Sequence, residues 1–185
     1  LRRECDFNAS FFAGHSLGEY SALVASDKIS FSTAVELVHT RGKAMQDAVP
    51  LGKGSMAAVL KCNRKELSKL CSELSENSDD IVEVVNFNSP QQQIISGKTS
   101  SVDKVCEILK EKKILTIKLK VSAPFHSSLM TKAREEMDNA LSQTKINANE
   151  SIIIPNLTAT PVKDYDNKLL IDQIDSPVLW EDSLL

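Results

Sequence analysis

The segment that most constrains this chain reads Gly-His-Ser-Leu-Gly-Glu-Tyr-Ser-Ala and begins at Gly14. It contains the pattern Gly-x-Ser-x-Gly, which is typical of a tight turn that carries a nucleophilic serine from a strand into a helix. The pattern also occurs by chance in ordinary turns, but apolar residues 10–13 favour a strand before it and residues 17–25 favour a helix after it. This context predicts that Ser16 is a nucleophile and that the turn has no room for a Cβ atom at Gly14 or Gly18.

The composition argues against several classes of function. The chain has 185 residues, 42% of them hydrophobic, which is enough for one domain with its own core and a subdomain. A net charge of −3 and a pI near 5.7 argue against binding to nucleic acid or to an anionic membrane. No apolar run approaches the ~20 residues of a membrane span, and no signal peptide is recognisable. Because the sequence begins without Met, we expect it to start inside a longer protein.

The cysteines give no sign of a metal site or of a disulfide framework. The four of them are scattered, without a Cys-x-x-Cys pair and without histidine at metal-ligand spacing. We therefore expect free thiols at Cys5, Cys62, Cys71 and Cys106.

Hydrophobic periodicity predicts a discontinuous large part, residues 1–51 and 122–185, and a small subdomain, residues 52–121. The small subdomain has the element order β-α-β-β-α-β of a ferredoxin-like unit. Its predicted strands and helices cover residues 56–60, 64–74, 81–85, 93–96, 102–109 and 117–121. In the large part we expect helices over residues 33–48 and 127–141, a strand at 152–154, a loop at 142–150 and a helix that begins near residue 178.

A serine needs a base to take its proton, and the chain has three histidines. His15 is adjacent to Ser16, and neighbouring side chains rarely face each other. His39 lies beyond the apolar stripe of its helix, which favours a solvent-exposed position. His126 follows a predicted strand and begins a predicted helix, where the helix terminus disfavours a charged imidazole. We therefore predict His126 as the base.

Arg41 has two interpretations that periodicity does not separate. It borders the apolar stripe assigned to Ala34, Val35, Val38 and Met45. Its guanidinium could extend outward to solvent, or it could point into a cleft and bind a carboxylate.

The third member of a catalytic triad is also open at this stage. The acids between Ser16 and His126 include Asp79, Asp80 and Asp103, and none lies convincingly at the end of a strand. A dyad whose histidine is oriented by a backbone carbonyl is therefore as plausible as a full triad.

Several segments together resemble the malonyl-CoA:acyl carrier protein transacylases, a family of acyltransferases. The matching segments are residues 14–23, 41–46, 85–90, 124–130, 155–156 and 173–180, in the order of the family. The resemblance implies an α/β fold: a hydrolase-like core with a parallel sheet and a nucleophile elbow, plus an inserted ferredoxin-like subdomain. It also implies an enzyme that works without a cofactor.

The resemblance assigns roles to individual residues. It implies Ser16 as nucleophile, His126 as base and acid, and the backbone carbonyl of Gln173 as the group that orients His126. It implies that Arg41 binds the malonyl carboxylate, that Phe125 excludes a 2-methyl branch, and that the Leu17 N–H stabilises the oxyanion. Two further positions, Met45 and Asn86, are expected beside the substrate.

The implied reaction transfers malonyl from malonyl-CoA to the phosphopantetheine thiol of acyl carrier protein in fatty acid biosynthesis. We expect a monomer in the cytoplasm or the mitochondrial matrix, with no nucleic-acid or membrane partner. A serine hydrolase or thioesterase with the same elbow, or an inactive fragment, are the alternatives. The family's Gly-Gln-Gly loop and final helices have no counterpart in this sequence, which leaves the activity of the chain alone open. Lysines at 110, 112, 113, 118 and 120 form either a carrier-docking face or an ordinary solvated surface.

Overall fold

The computed structural model describes residues 9–76, 79–121 and 123–185. Within them the elements are β1 (Phe11–Phe12), α1 (Gly18–Ala25), α2 (Phe31–Asp47), β2 (Gly54–Leu60), α3 (Arg64–Leu74), β3 (Val82–Ser89), β4 (Gln92–Lys98), α4 (Thr99–Glu111), β5 (Leu115–Lys118), a 3₁₀ turn (Ser128–Met130), α5 (Thr131–Leu141), β6 (Ile152–Ile153), α6 (Asn167–Gln173) and α7 (Trp180–Ser183).

A short parallel sheet places the predicted elbow. Strand β1 pairs in parallel with β6, with Phe11 opposite Ile152 and Phe12 opposite Ile153. The chain then turns into α1, and α1, α2, α5 and α6 share one apolar core. The fully buried members of that core include Leu23, Met130, Ala133, Met137, Leu141, Ile153 and Leu170. The elbow therefore sits at the end of a strand and is backed by packed helices.

The second sheet is antiparallel and has the order β3-β4-β2-β5. Its core side is covered by α3 and α4 through residues such as Val59, Leu67, Ile95, Val102 and Leu109. This is the arrangement expected of a ferredoxin-like unit, in which the two helices lie on one face. The exact division of the chain at residues 52 and 121 stays a prediction.

The two sheets are connected through the segment after α6. The backbone of Val178 accepts from the Phe87 N–H at 3.0 Å and donates to the Val85 carbonyl at 2.8 Å. The guanidinium of Arg64 binds Asp182 with two bonds of 3.0 Å and lies 3.8 Å from the centre of the Phe87 ring. These contacts fix the end of the chain against β3.

The buried face of α2 differs from the predicted stripe. Val35 is 52% exposed, whereas Leu37 and Ala44 are buried. The buried positions span an arc of about 100° at 100° per residue, and Arg41 lies near its middle. The stripe in the sequence was therefore centred on the wrong residues, because Val35 was counted and Leu37 was not.

Other expectations have mixed outcomes. Helix α6 was not predicted, and β3 continues to Ser89, past the turn expected from residue 88.

Among the described residues the cysteines are free, Cys62 and Cys71 being buried, while Cys5 lies outside the described residues. In the same part of the chain no cluster of side chains could hold a metal ion, and no helix is long and apolar enough to cross a membrane.

The corrected face of α2 can be tested by stability measurements. We expect Leu37→Ala to lower the free energy of unfolding by about 2–5 kcal/mol, because it leaves a cavity in the helical core. We expect Val35→Ala to change it by less than about 0.5 kcal/mol, since that side chain is mostly in solvent. Urea denaturation followed by circular dichroism measures both, and equal losses would contradict the observed face.

Candidate active site

The serine turn has the strained backbone of a nucleophile elbow. Ser16 has a φ of 52°, in the left-handed region that non-glycine residues rarely adopt. A Cβ at Gly14 would lie 2.0 Å from the carbonyl oxygen of Gly18, so Gly14 has no room for a side chain. A Cβ at Gly18 would meet nothing within 4 Å, so the prediction of a steric requirement at that position is wrong. The close approach is one-sided: the space that Gly14 lacks is occupied by the backbone of Gly18.

The side chain of Asn156 holds the turn in this conformation. Its Oδ1 accepts from the Ser16 N–H at 2.5 Å, and its Nδ2 donates to the Gly14 carbonyl at 2.8 Å. Asn156 follows β6, the parallel partner of β1, and is fully buried. The sequence included this residue in a matching segment but assigned it no role. Its amide satisfies two backbone groups that the tight turn leaves without helix or sheet partners.

His126 faces the serine through its Nε2 atom, 2.7 Å from Ser16 Oγ. Its Nδ1 lies 2.9 Å from the backbone carbonyl of Gln173. Because that carbonyl can only accept, Nδ1 carries the hydrogen and Nε2 is the free acceptor for the serine proton. His126 also has a positive φ, 63°, so both members of the pair stand on strained backbone.

The environment keeps this imidazole neutral. Burial, followed by the charge of Arg41, lowers the pKa of His126 from 6.5 to about 3, and the hydrogen bond that Nδ1–H donates to the Gln173 carbonyl opposes the shift. Among the described residues, no carboxylate contacts the ring. Two of the acids weighed for a triad are instead paired with lysines, Asp79 with Lys98 and Asp103 with Lys118. The geometry is that of a dyad oriented by a backbone carbonyl.

Arg41 lies inside the site. Its Nη2 donates to Ser16 Oγ at 2.9 Å and to the side-chain oxygen of Gln173 at 3.2 Å. Only 6% of the residue is exposed, and among the described residues its Nε has no hydrogen-bond partner. Burial lowers the pKa of Arg41, but a guanidinium starts so high that it stays charged. A buried cation with a donor to spare therefore touches the serine hydroxyl.

Leu17 and Phe125, both predicted beside the substrate, are neighbours in sequence of Ser16 and His126, respectively. Leu17 precedes α1, and the next three amides donate to the carbonyls of residues 15, 16 and 17. Leu17 is the residue directly after Ser16, and within the described residues no acceptor contacts its N–H. Phe125 is half-buried between the helical core and the face of the second sheet formed by Met56 and Ile94.

The remaining predicted positions, Met45 and Asn86, make their contacts with residues other than Ser16 and His126. Met45 is buried in the helical core, one turn after Arg41 on α2. Asn86 is buried in β3, where it pairs with Ile94 and forms a bridge with Val178. Neither makes a described hydrogen bond to Ser16 or His126.

The other two histidines lie apart from the proton path. His39 is exposed on α2, as predicted. His15 bonds to the Asn88 side chain at 2.8 Å and packs edge-on against Trp180, with ring centres 5.4 Å apart. These residues line an open cavity of about 710 Å³ between the elbow and the β3–β4 hairpin, together with Leu60 and Gln92. One of its lining residues, His15, directly precedes Ser16 in the sequence.

A buried acid connects the parts of the site, and sequence reasoning missed it. Glu19, in the first turn of α1, has no exposed surface and accepts from Tyr165, Asn156 and Gln173. Burial raises its pKa, and the three hydrogen bonds and the charge of Arg41 oppose that shift. The only sequence signal was its place in the matching segment of residues 14–23.

The depressed pKa of His126 predicts a pH-dependent stability. The unfolded chain binds this proton near pH 6.5 and the folded chain near pH 3, so the folded state loses stability as pH falls between them. From pH 7 to pH 5 this group should cost about 2 kcal/mol. We expect His126→Gln to remove about that much of the change in unfolding free energy, measured by urea denaturation at both values. An unchanged difference between pH 7 and pH 5 would contradict the burial of a neutral imidazole.

Comparison with known proteins places the chain among the acyltransferases. Residues 7–181 match the acyl transferase domain family. The chain is 40% identical over 186 residues to the malonyl CoA-acyl carrier protein transacylase of Bacillus subtilis strain 168, covering 98% of this chain and 58% of the relative. It is 37% identical to the enzyme of the same name from Staphylococcus aureus, again covering 58% of it.

Solved structures give the same answer for the fold. The chain superposes on FabD of Acinetobacter baumannii with a TM-score of 0.92 and 40% identity, covering 96% of this chain and 57% of that one. The malonyl CoA-acyl carrier protein transacylase of Clostridium perfringens gives a TM-score of 0.89 at 38% identity, covering 95% and 55%. The chain thus spans somewhat more than half the length of these relatives. By its sequence and its fold, the chain belongs to the acyl transferase domain family.

Proposed function

We propose that this chain carries the catalytic centre of an enzyme that transfers malonyl from malonyl-CoA to the phosphopantetheine thiol of acyl carrier protein, in fatty acid biosynthesis. The observation that carries the proposal is the position of Ser16 Oγ, between the neutral Nε2 of His126 and the buried guanidinium of Arg41. The first is what acyl transfer through a serine requires, and the second suits an acyl group with a free carboxylate. The names of the relatives support the same activity.

In the first half-reaction Ser16 Oγ attacks the thioester carbonyl of malonyl-CoA while His126 Nε2 takes the hydroxyl proton. The carbonyl oxygen becomes an oxyanion, for which the Leu17 N–H is the available donor at the start of α1. When the carbon–sulfur bond breaks, His126 returns the proton to the departing sulfur. Coenzyme A leaves as a thiol, and malonyl stays on Ser16 as an ester.

In the second half-reaction the phosphopantetheine thiol of the carrier gives its proton to His126 and attacks the malonyl ester. The new thioester forms, the bond to Ser16 Oγ breaks, and His126 returns the proton to the serine. The cavity lined by His15 and Trp180 is the space we propose for the long thiol arm of the carrier. Water is the competing acceptor, and transfer rather than hydrolysis requires that the ester wait for a thiol.

Arg41 provides the preference for malonyl. The malonyl carboxylate would take the donor that Nη2 now gives to Ser16 Oγ, together with the unpartnered Nε. Acetyl would leave that buried cation without an anion, at a cost of about 1–3 kcal/mol, or roughly tenfold or more in rate. Phe125 would exclude a 2-methyl branch, and Met45 and Asn86 would shape the walls around the acyl group at longer range.

The carrier protein is the proposed macromolecular partner. A related malonyl transacylase, 33% identical with a TM-score of 0.88, has been solved in complex with an acyl carrier protein. The lysines predicted as a docking face are exposed, but Lys118 is already paired with Asp103. The docking role is therefore proposed for Lys110, Lys112, Lys113 and Lys120. A monomer without a cofactor, in the cytoplasm or the mitochondrial matrix, completes the proposal.

The covalent step can be tested by intact-protein mass spectrometry after brief incubation with malonyl-CoA. We expect a single malonyl adduct, because Ser16 is the only serine in the described part of the chain whose hydroxyl contacts an unprotonated histidine nitrogen. Ser16→Ala should abolish the adduct, and Ser21→Ala, at an exposed position of α1, should retain it. If Ser16→Ala still takes up malonyl, the proposed nucleophile is wrong.

The role of Arg41 can be tested by comparing malonyl-CoA with acetyl-CoA. We expect Arg41→Met to lower the rate of adduct formation from acetyl-CoA about tenfold, because Ser16 loses the cation that touches it, and to lower the rate from malonyl-CoA at least tenfold further, so that the preference disappears. Rapid-quench mass spectrometry measures both rates. Equal losses with the two substrates would assign Arg41 to the shared chemistry instead of the carboxylate.

A further inference from the structure

The carboxyl of Glu19 is buried beneath the site without contacting the serine, the histidine or the arginine side chain directly. Its Oε2 accepts from the Gln173 Nε2 at 2.7 Å and from the Asn156 N–H at 2.9 Å, while Oε1 accepts from the Tyr165 hydroxyl. Burying a carboxyl is costly unless its oxygens are bonded, and here three donors converge on it. The mechanism described above does not use this group.

The Gln173 amide has only one chemically consistent orientation in this network. Its neighbours are Glu19 Oε2, an acceptor that the Asn156 N–H already requires, and the Arg41 guanidinium, which can only donate. Reversing the amide would set oxygen against oxygen at one end and two donors against each other at the other. Glu19 and Arg41 together therefore hold the amide nitrogen toward Glu19 and the amide oxygen toward Arg41.

Gln173 contacts every part of the site from this fixed position. Its side-chain oxygen accepts from Arg41 Nη2 at 3.2 Å, and its Nε2 also lies 3.3 Å from the Ser16 carbonyl. Its backbone carbonyl bonds the Nδ1 of His126 at 2.9 Å. Arg41 Nη2, held in this way, is the atom that donates to Ser16 Oγ. A displacement of the Gln173 amide would thus move the Arg41 guanidinium relative to Ser16 Oγ.

We propose that Glu19 is a positioning residue which, through the Gln173 amide, holds Arg41 against Ser16 and so sets both the reactivity of the serine and the preference for a carboxylate-bearing acyl group. The part that concerns the acyl group rests on the proposed function. The part that concerns the serine does not, because it requires only the geometry of Arg41, Ser16 and His126.

The test compares two substitutions at Glu19 that differ in hydrogen bonding. Glu19→Met has a similar volume and no acceptor, so the Gln173 amide nitrogen loses its anchor and the amide oxygen is no longer held in place against Arg41. Glu19→Gln can place its oxygen toward Gln173 and Asn156 and its NH₂ toward the Tyr165 hydroxyl, which can accept. The matched control is Glu36→Met, because Glu36 is exposed on α2 and lies outside the site.

The first readout is the rate at which a fluorophosphonate labels Ser16, in which Ser16 Oγ bonds to phosphorus, fluoride leaves and His126 takes the proton. We expect Glu19→Met to label about tenfold more slowly than Glu36→Met and Glu19→Gln to recover most of that loss. Should Glu19→Met fail to fold, Gln173→Met removes the amide through which Glu19 acts and should show the same loss of labelling rate. Labelling at the control rate by the folded variant, or an equal loss in Glu19→Gln and Glu19→Met, would overturn the proposal.

The second readout is the ratio of malonyl to acetyl adduct formation on Ser16. A positioning role predicts that Glu19→Met lowers this ratio about tenfold, whereas a loss of stability alone lowers both rates together and leaves the ratio unchanged. Failure of the proposed function looks different, since the unsubstituted protein would then label with the fluorophosphonate and form no malonyl adduct. In that case the labelling rates alone decide the role of Glu19.

Discussion

The burial of one positive charge beside a serine organises this site. Arg41 lies at the centre of the buried face of α2, and its guanidinium touches Ser16 Oγ. Burial, and after it this same charge, lowers the pKa of His126 to about 3, so that the imidazole stays neutral and can accept a proton. A cation in this position needs acceptors, and Gln173 supplies one while Glu19 fixes the direction of its amide. The buried charge of Arg41 therefore contributes both to the neutral state of His126 and to the orientation of the side chains around Ser16.

Much of the fold followed from local patterns. The alternation and periodicity of residues 56–121 predicted the β-α-β-β-α-β order that the structure has over residues 54–118, because each strand and helix there buries a face of its own. Short elements were harder, since α6 has only seven residues and buries Leu170 and Ile171 against neighbours that are distant in sequence. The α2 stripe was misplaced for a related reason. A charged residue at the centre of a buried face lowers the apparent hydrophobicity of that face, and the centre was then assigned elsewhere.

The site was only partly accessible to sequence reasoning. A serine in a Gly-x-Ser-x-Gly turn and a histidine at a helix start are local signals, whereas the contacts of Glu19 with Asn156, Tyr165 and Gln173 join positions 137 to 154 residues apart. No periodicity encodes such contacts. The choice between dyad and triad was open for the same reason, because the group that orients His126 is a backbone carbonyl, which every residue possesses. The prediction that Gly18 must lack a Cβ was wrong, because a Cβ at Gly14 would clash with the Gly18 backbone whereas a Cβ at Gly18 would point into open space.

The central claim is that this site passes an acyl group to a thiol in preference to water. It is tested most directly by isolating the malonyl-Ser16 form and following its decay with and without the phosphopantetheine-bearing carrier protein. The account predicts slow loss in buffer and rapid loss with the carrier, accompanied by one equivalent of malonyl thioester on the carrier. Release of free malonate at the same rate in both conditions would contradict it and would identify a hydrolase built on the same elbow.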